Sequence, residues 1–256
     1  ADTDRVVDLI KSRGGYVNLV VAYTPQWASG STDKALPPRD PNDYVAYVRK
    51  VAERYRGKAD CIGIWNEPNL RLFWGGTKSQ YINQILVPGL RAVKEVAPEM
   101  QTCGPDLSSS GDERGDWMEP ILNAAGPMFD IFTHHQYDGD DKVSGRVREI
   151  EKMHDLLVSR GYGNKPFWVT ETGWGNEVSA TKRAEMLRGM MTEMSRRPWW
   201  NKLFWYDSHS EHGLIPGENA APGPSFYAYR DIIAASPFAP TPAEGPSNPP
   251  PPPPTG

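Results

Sequence analysis

Cys61-Ile62-Gly63-Ile64-Trp65-Asn66-Glu67-Pro68-Asn69 is a short apolar run that stops at a polar tip closed by proline. A run this short, bounded by turn-forming residues, reads as a strand, Cys61 to Trp65. Phe167 to Thr170, followed by Glu171-Thr172-Gly173-Trp174, has the same plan, an apolar strand delivering a glutamate to a turn. Upstream of the first stretch, Asp40-Pro41 opens a helix that carries Tyr44, Val45, Val48, Val51 and Ala52 at helical spacing and ends near Gly57. Before it lie a strand, Tyr16 to Ala22, and an opening helix capped by Asp2 or Thr3 and stopped by Gly14-Gly15. Downstream the alternation runs helix Gln80 to Val96, strand Thr102 to Gly104, helix Asp116 to Ala125, strand Asp130 to His135 and helix Val147 to Arg160. After the strand at Phe167 come helix Ala180 to Arg196, strand Leu203 to Tyr206 and helix Phe226 to Ala235. Six short apolar strands among seven amphipathic helices describe a parallel sheet buried on both faces.

A barrel and an open doubly wound sheet both fit that alternation. Trp27, Glu67, His135, Glu171 and Trp205 fall at or just past the C-terminal ends of different strands, where a barrel mouth gathers its working residues. No GxGxxG or GxxxxGK[ST] follows a strand, so a nucleotide-binding sheet has no phosphate loop.

The composition narrows the function classes. With 28 Lys plus Arg against 32 Asp plus Glu, the chain has no basic excess for a nucleic acid partner. It has no apolar run long enough to span a membrane, and its first ten residues are acidic and helix-like rather than a leader. Cys61 and Cys103 match no metal or CxxC spacing; they precede or occupy neighbouring strands, which leaves free thiols and a disulfide both open. Nine Trp and eleven Tyr, several at strand ends, suit sugar binding. Residues 1–236 are expected to form the catalytic barrel-like domain, and the proline-rich stretch 237–256, with six consecutive prolines, a polyproline II spacer.

Two glutamates at strand ends suggest glycosidic bond cleavage, which needs one carboxylic acid for the leaving oxygen and one carboxylate for the anomeric carbon. The pair WNEPN and TETGW, in that order with a βαβαβ pattern between, resembles clan A of the retaining glycoside hydrolases. The extension WNEPNLRLFW, with Gly104-Pro105 in the next strand, is most similar to glycoside hydrolase family 39 and its β-xylosidases, and next to family 5. The resemblance implies a TIM-barrel-like (β/α)8 fold, with Glu67 as acid/base and Glu171 as nucleophile. It implies that Asn66 meets the sugar 2-hydroxyl, His135 contacts substrate, Tyr137 orients the nucleophile and Trp205 forms the floor under the sugar. Trp27 resembles the third-strand loop, with Trp74 and Trp174 as walls. Glu67 has to hold a proton near neutral pH, which desolvation and the neighbouring charge of Glu171 favour. An oligo- or polysaccharide substrate and no cofactor follow from the same resemblance, and the proline tail with polysaccharide-type chemistry suggests secretion.

Asp207-Ser208-His209-Ser210-Glu211-His212 and His134-His135 offer metal-ligand types, but in no zinc spacing, so no metal is expected. Against the family pattern the chain starts about two βα units late and lacks the arginine that supports the nucleophile. The barrel is therefore expected to be incomplete, with sheet edges covered by the opening helix, by the loop from Ala28 to Pro38 or by self-association. A carbohydrate-binding or catalytically impaired barrel remnant is the alternative to an active enzyme.

Overall fold

The computed structural model describes residues 2–109, 114–139, 142–175, 177–208, 210, 213–215, 217 and 220–235. The proline-rich stretch 237–256 lies outside them. Six strands alternate with helices: α1 (Asp2–Ser12), β1 (Asn18–Val21), the single turn α2 (Gln26–Ser29), α3 (Pro41–Tyr55), β2 (Cys61–Ile64), α4 (Lys78–Gln80), α5 (Val87–Val96), β3 (Gln101–Ser108), α6 (Arg114–Ala125), β4 (Ile131–His135), α7 (Val143–Ser159), β5 (Phe167–Thr172), α8 (Ala180–Ser195), β6 (Trp200–Trp205) and α9 (Pro224–Ala235).

Local chemistry accounts for the helix boundaries. The Asp40 side chain accepts from the Asn42 N–H and Pro41 supplies a preset first turn to α3. Thr77 and Gln80 exchange side-chain to backbone hydrogen bonds in a capping box that starts α4. Between α4 and α5 the backbone widens into a π-helix, Tyr81–Leu86, just before Pro88. Proline there has no N–H to give the preceding turn, and the wider turn accommodates it.

All six strands are parallel and lie in sequence order, β1-β2-β3-β4-β5-β6. A doubly wound sheet reverses its order at a switch point; this one does not, so right-handed crossovers keep the helices on one face and the sheet curls around the other. The sheet is an incomplete (β/α) barrel. The larger core lies between strands and helices, with Ile62, Ile64, Phe132, Phe167 and Val169 among its buried residues. A smaller cluster of Cys61, Cys103, Ile131 and Trp168 fills the concave side, with Phe204 against it. Cys61 and Cys103 are free thiols with sulfurs 3.0 Å apart.

Closure is partial. Among the described residues β1 and β6 each pair on one side only. Below the mouth, Lys202 of β6 sets its ammonium 3.3 Å from the ring centre of Tyr16, which precedes β1, and Tyr16 meets Trp168 edge-on at 6.4 Å. α1 buries only Val7 and is attached largely by ion pairs, Asp4 with Arg54, Asp8 with Lys58 and Lys11 with Asp60.

Candidate active site

Irregular backbone prepares the mouth. Tyr23, Trp65 and Glu67, beyond strand ends, and Asp106, inside β3, adopt positive φ of 71°, 74°, 44° and 49°, a region that side chains other than glycine seldom occupy. The register shifts between Pro105 and Leu107, between His134 and His135, and between Val169 and Thr172. Each shift falls beside a polar residue of the mouth and re-aims it out of strict strand alternation. Trp65 is wholly buried among Tyr23, Tyr44 and Trp74, donates its Nε1–H to the Phe73 carbonyl at 2.9 Å, and so anchors the turn that carries Glu67.

Glu67 and Glu171 meet at one imidazole. His135 Nδ1 lies 2.9 Å from Glu67 Oε1 and 3.6 Å from Glu171 Oε2, while Nε2 lies 3.5 Å from Asp106 Oδ1. One donor atom each of Glu67, His135 and Glu171 falls within 4.8 Å of the others. Tyr137 donates its hydroxyl to Glu171 Oε2 at 2.9 Å. Burial by itself would favour neutral His135, but hydrogen bonds to Asp106 and Glu67 and the charge of Glu171 raise its pKa to about 10. Burial also works against ionised Asp106, yet His135 and two threonine hydroxyls hold its carboxyl below the usual range. For Glu171, burial pushes the carboxyl above its ordinary range and the charge of Glu67 adds to that, while His135 and Tyr137 pull it down. Burial and the Glu171 charge raise the Tyr137 phenol.

A family model described as glycosyl hydrolase catalytic core matches residues 43–220, more than half of the chain. The chain belongs to this family. Within it, the chain is similar to the β-xylosidase of Geobacillus stearothermophilus, 32% identical over 111 residues that make up 40% of this chain and 21% of that protein. Its fold matches a monomeric β-xylosidase from Caulobacter crescentus at a TM-score of 0.68 and 18% identity, covering 91% of this chain and 56% of the other. A glucosidase from Croceicoccus marinus matches at 0.72 and 16% identity, over 90% and 52%. An endo-β-1,3-glucanase from Amycolatopsis mediterranei matches at 0.59 and 15% identity, over 86% and 83%. The chain thus spans about half the length of the β-xylosidase and glucosidase structures and about a fifth of the Geobacillus enzyme.

The other anticipated site residues divide by exposure. Asn66 borders the mouth and donates to the Tyr23 hydroxyl at 3.3 Å. Trp27 is 73% exposed and lines a cleft of about 490 Å³ with Tyr23, Lys34, Asp43, Tyr44 and Tyr47. Trp74 is not a wall: it is 2% exposed, packs on Trp65 and Tyr81, and gives its Nε1–H to Thr77. Trp174 is not one either; it is sealed between Trp205 and the Arg146 guanidinium, which stacks 3.5 Å from its ring centre. Both rings serve packing because the turns after their strands fold back onto the helices. Trp205 is itself buried against Trp174, and the open ring at that strand end belongs to its neighbour Tyr206, edge-on to Tyr137 at 6.4 Å. Adjacent strand residues face opposite sides, so exposure of one goes with burial of the other.

Three residues went unnoticed in the sequence: Asp106, Tyr206 and Arg146. Arg146 reaches in from α7 and donates to Thr172 Oγ1 at 3.0 Å and to the Gly173 carbonyl at 2.6 Å, bracing the turn after Glu171. A helical arginine among many has no sequence signal. Asp106 had one, its place directly after Gly104-Pro105. Among the described residues, Glu67, His135 and Glu171 form the group compact enough to be weighed as metal ligands. His135 fits that role poorly, since an imidazolium engaged at both nitrogens offers no lone pair. His209, Glu211 and His212 lie outside the described residues.

Proposed function

We propose that the chain is a retaining hydrolase of β-glycosidic bonds in oligo- or polysaccharides, with Glu171 as nucleophile and Glu67 as acid/base. The separation of these two groups carries the reading: their nearest carboxyl oxygens lie within 4.8 Å. Retaining enzymes hold their carboxyls roughly 5 to 5.5 Å apart, whereas inverting ones leave roughly 6.5 to 9.5 Å for a water. In the first displacement a Glu171 oxygen bonds to the anomeric carbon while the bond to the leaving oxygen breaks and Glu67 gives that oxygen its proton. In the second, Glu67 takes a proton from water, the water oxygen bonds to the same carbon, and Glu171 departs as carboxylate. Tyr137 steadies Glu171, Asn66 is placed for a sugar hydroxyl, His135 and Tyr206 border the reacting ring, and Trp27 extends the cleft. The names of the relatives, β-xylosidase and glucosidase, support β-linked pentose or hexose substrates, and such polymers place the work outside the cell.

A second reading, a carbohydrate-binding or weakly active core, is favoured by one observation: among the described residues β1 and β6 have no outer partner strand. Self-association across the β1 edge, where Val20 is exposed, would cover that gap. Aryl β-glycosides, with proton NMR of the first-formed anomer, separate the possibilities. Retained product that disappears in Glu171→Gln is expected; inverted product, or undiminished turnover in that variant, rejects the mechanism. Oligosaccharide binding without turnover selects the second reading.

A further inference from the structure

We propose that Asp106 is a positioning residue of this site: from a closed pocket behind His135 it keeps that imidazole in the doubly protonated form that bridges Glu67 and Glu171. The proposal rests on the glycosidase reading only for what the bridge is for; the bridge can be measured without substrate.

Asp106 is held on every side. It has no exposure to solvent, although it is a charged residue at the sheet end. It sits where β3 shifts register against β4, at a φ of 49°, so its backbone is bent to a conformation that strict pairing would not give. Its carbonyl accepts from the Glu67 N–H at 3.0 Å, which ties it to the turn carrying the acid/base. Its own N–H donates to Thr133 Oγ1 at 3.3 Å, and Oδ1 accepts from Thr170 Oγ1 at 2.7 Å. Oδ2 has no hydrogen-bond donor among the described residues; it lies over Gly63, where an added Cβ would stand 3.0 Å away. Glycine at 63 is what leaves room for the carboxylate.

A fully buried carboxylate is costly unless a cation meets it, and the cation in contact here is His135, 3.5 Å from Oδ1. The charged and titratable groups around that imidazole are Glu67 from the β2 end, Asp106 from β3 and Glu171 from β5, with Tyr137 beside Glu171. One positive ring therefore serves three carboxyls. In the doubly protonated ring Nε2–H faces Asp106 and Nδ1–H faces Glu67, so neither nitrogen presents a lone pair to a carboxyl of the mouth. The consequence for turnover is specific: when Glu67 gives up its proton, the carboxylate left behind is met by a cation already 2.9 Å away. The raised His135 and lowered Asp106 pKa values agree with this pairing.

The test is long-range proton–nitrogen NMR on protein labelled at its five histidines, with His135→Gln assigning the signal. The unmodified protein is expected to show both His135 ring nitrogens protonated through about pH 8, well above the ordinary histidine midpoint of about 6.5. In Asp106→Asn, which keeps size and one acceptor, the midpoint is expected to fall by about two units, a loss of about a hundredfold in proton affinity. The pH profile of kcat/KM should then gain a break near the new midpoint, with KM changed by less than about twofold. An ordinary midpoint for His135 in the unmodified protein overturns the proposal, whether or not the variant folds. So does an Asp106→Asn protein with wild-type circular dichroism and an unmoved midpoint. Absence of glycosidase turnover would sink the glycosidase reading while leaving the His135 titration to decide on Asp106.

Discussion

The mouth of the half-barrel and its open β1 edge are held together in opposite ways. At the mouth, Glu67, Asp106 and His135 are nearly free of solvent and each is fixed by two or more polar partners. At the edge, Val6, Leu9, Tyr16 and Val20 are 40% to 56% exposed, and α1 is attached by ion pairs at the surface. Buried polar networks hold groups in place because breaking one leaves a desolvated charge, whereas exposed ion pairs contribute little. The carboxyl pair is therefore anchored on β2 and β5, one strand in from each edge, and its geometry does not depend on a closed sheet.

The largest effect should come from Glu171→Gln, with kcat down about 10⁴-fold, and Glu67→Gln should follow at about 10² to 10⁴-fold, both read by aryl glycoside kinetics. Glu171→Gln should also raise the melting temperature at neutral pH. Its folded-state pKa is raised, so ionisation there removes stability as pH rises through that value, and the amide avoids this. Tyr137→Phe deletes one hydrogen bond to a charged oxygen, worth about 1.5 to 3 kcal/mol, and should slow turnover about tenfold or more with little change in KM.

A smaller effect concerns pH. The raised pKa of His135 adds stability that is fully present below its unfolded value of about 6.5 and is lost as pH climbs through about 10. Melting curves should thus shift downwards between pH 7 and 10, and the shift should be blunted in His135→Gln. At the rim, Arg54→Ala cuts the Asp4 ion pair and Val20→Lys charges the edge. Both should leave melting and kcat close to wild type; a large loss of activity in either would mean that the edge, too, holds the carboxyls in place.

Much of this organisation could be read from the chain. The strand at Cys61 was expected to end at Trp65 and ends at Ile64, and the last helix was expected from Phe226 and begins at Pro224. β3 and β6 were read too short: β3 runs on past Gly104 to Ser108, through a proline and an aspartate that depress strand propensity, and β6 begins at Trp200 rather than Leu203. That misreading of β3 is why Asp106 was passed over. Trp74 and Trp174 were misread for another reason: an aromatic beside a catalytic motif looks the same in sequence whether its ring turns to the cleft or to the core.

The information legible along the chain was periodic and local. The alternation of short apolar runs with amphipathic helices dictated a parallel sheet, and the tips Asn66-Glu67-Pro68 and Glu171-Thr172-Gly173 put one carboxylate at each of two strand ends, because side-chain period and turn chemistry act over a few residues. Convergence was decided only in three dimensions. Three register shifts and four positive φ values turned Glu67, Asp106, His135 and Glu171 towards one another, and packing sent Trp74 and Trp174 away. A single extra residue in a strand reverses which face every later side chain takes, and only the neighbouring strand determines where that residue falls.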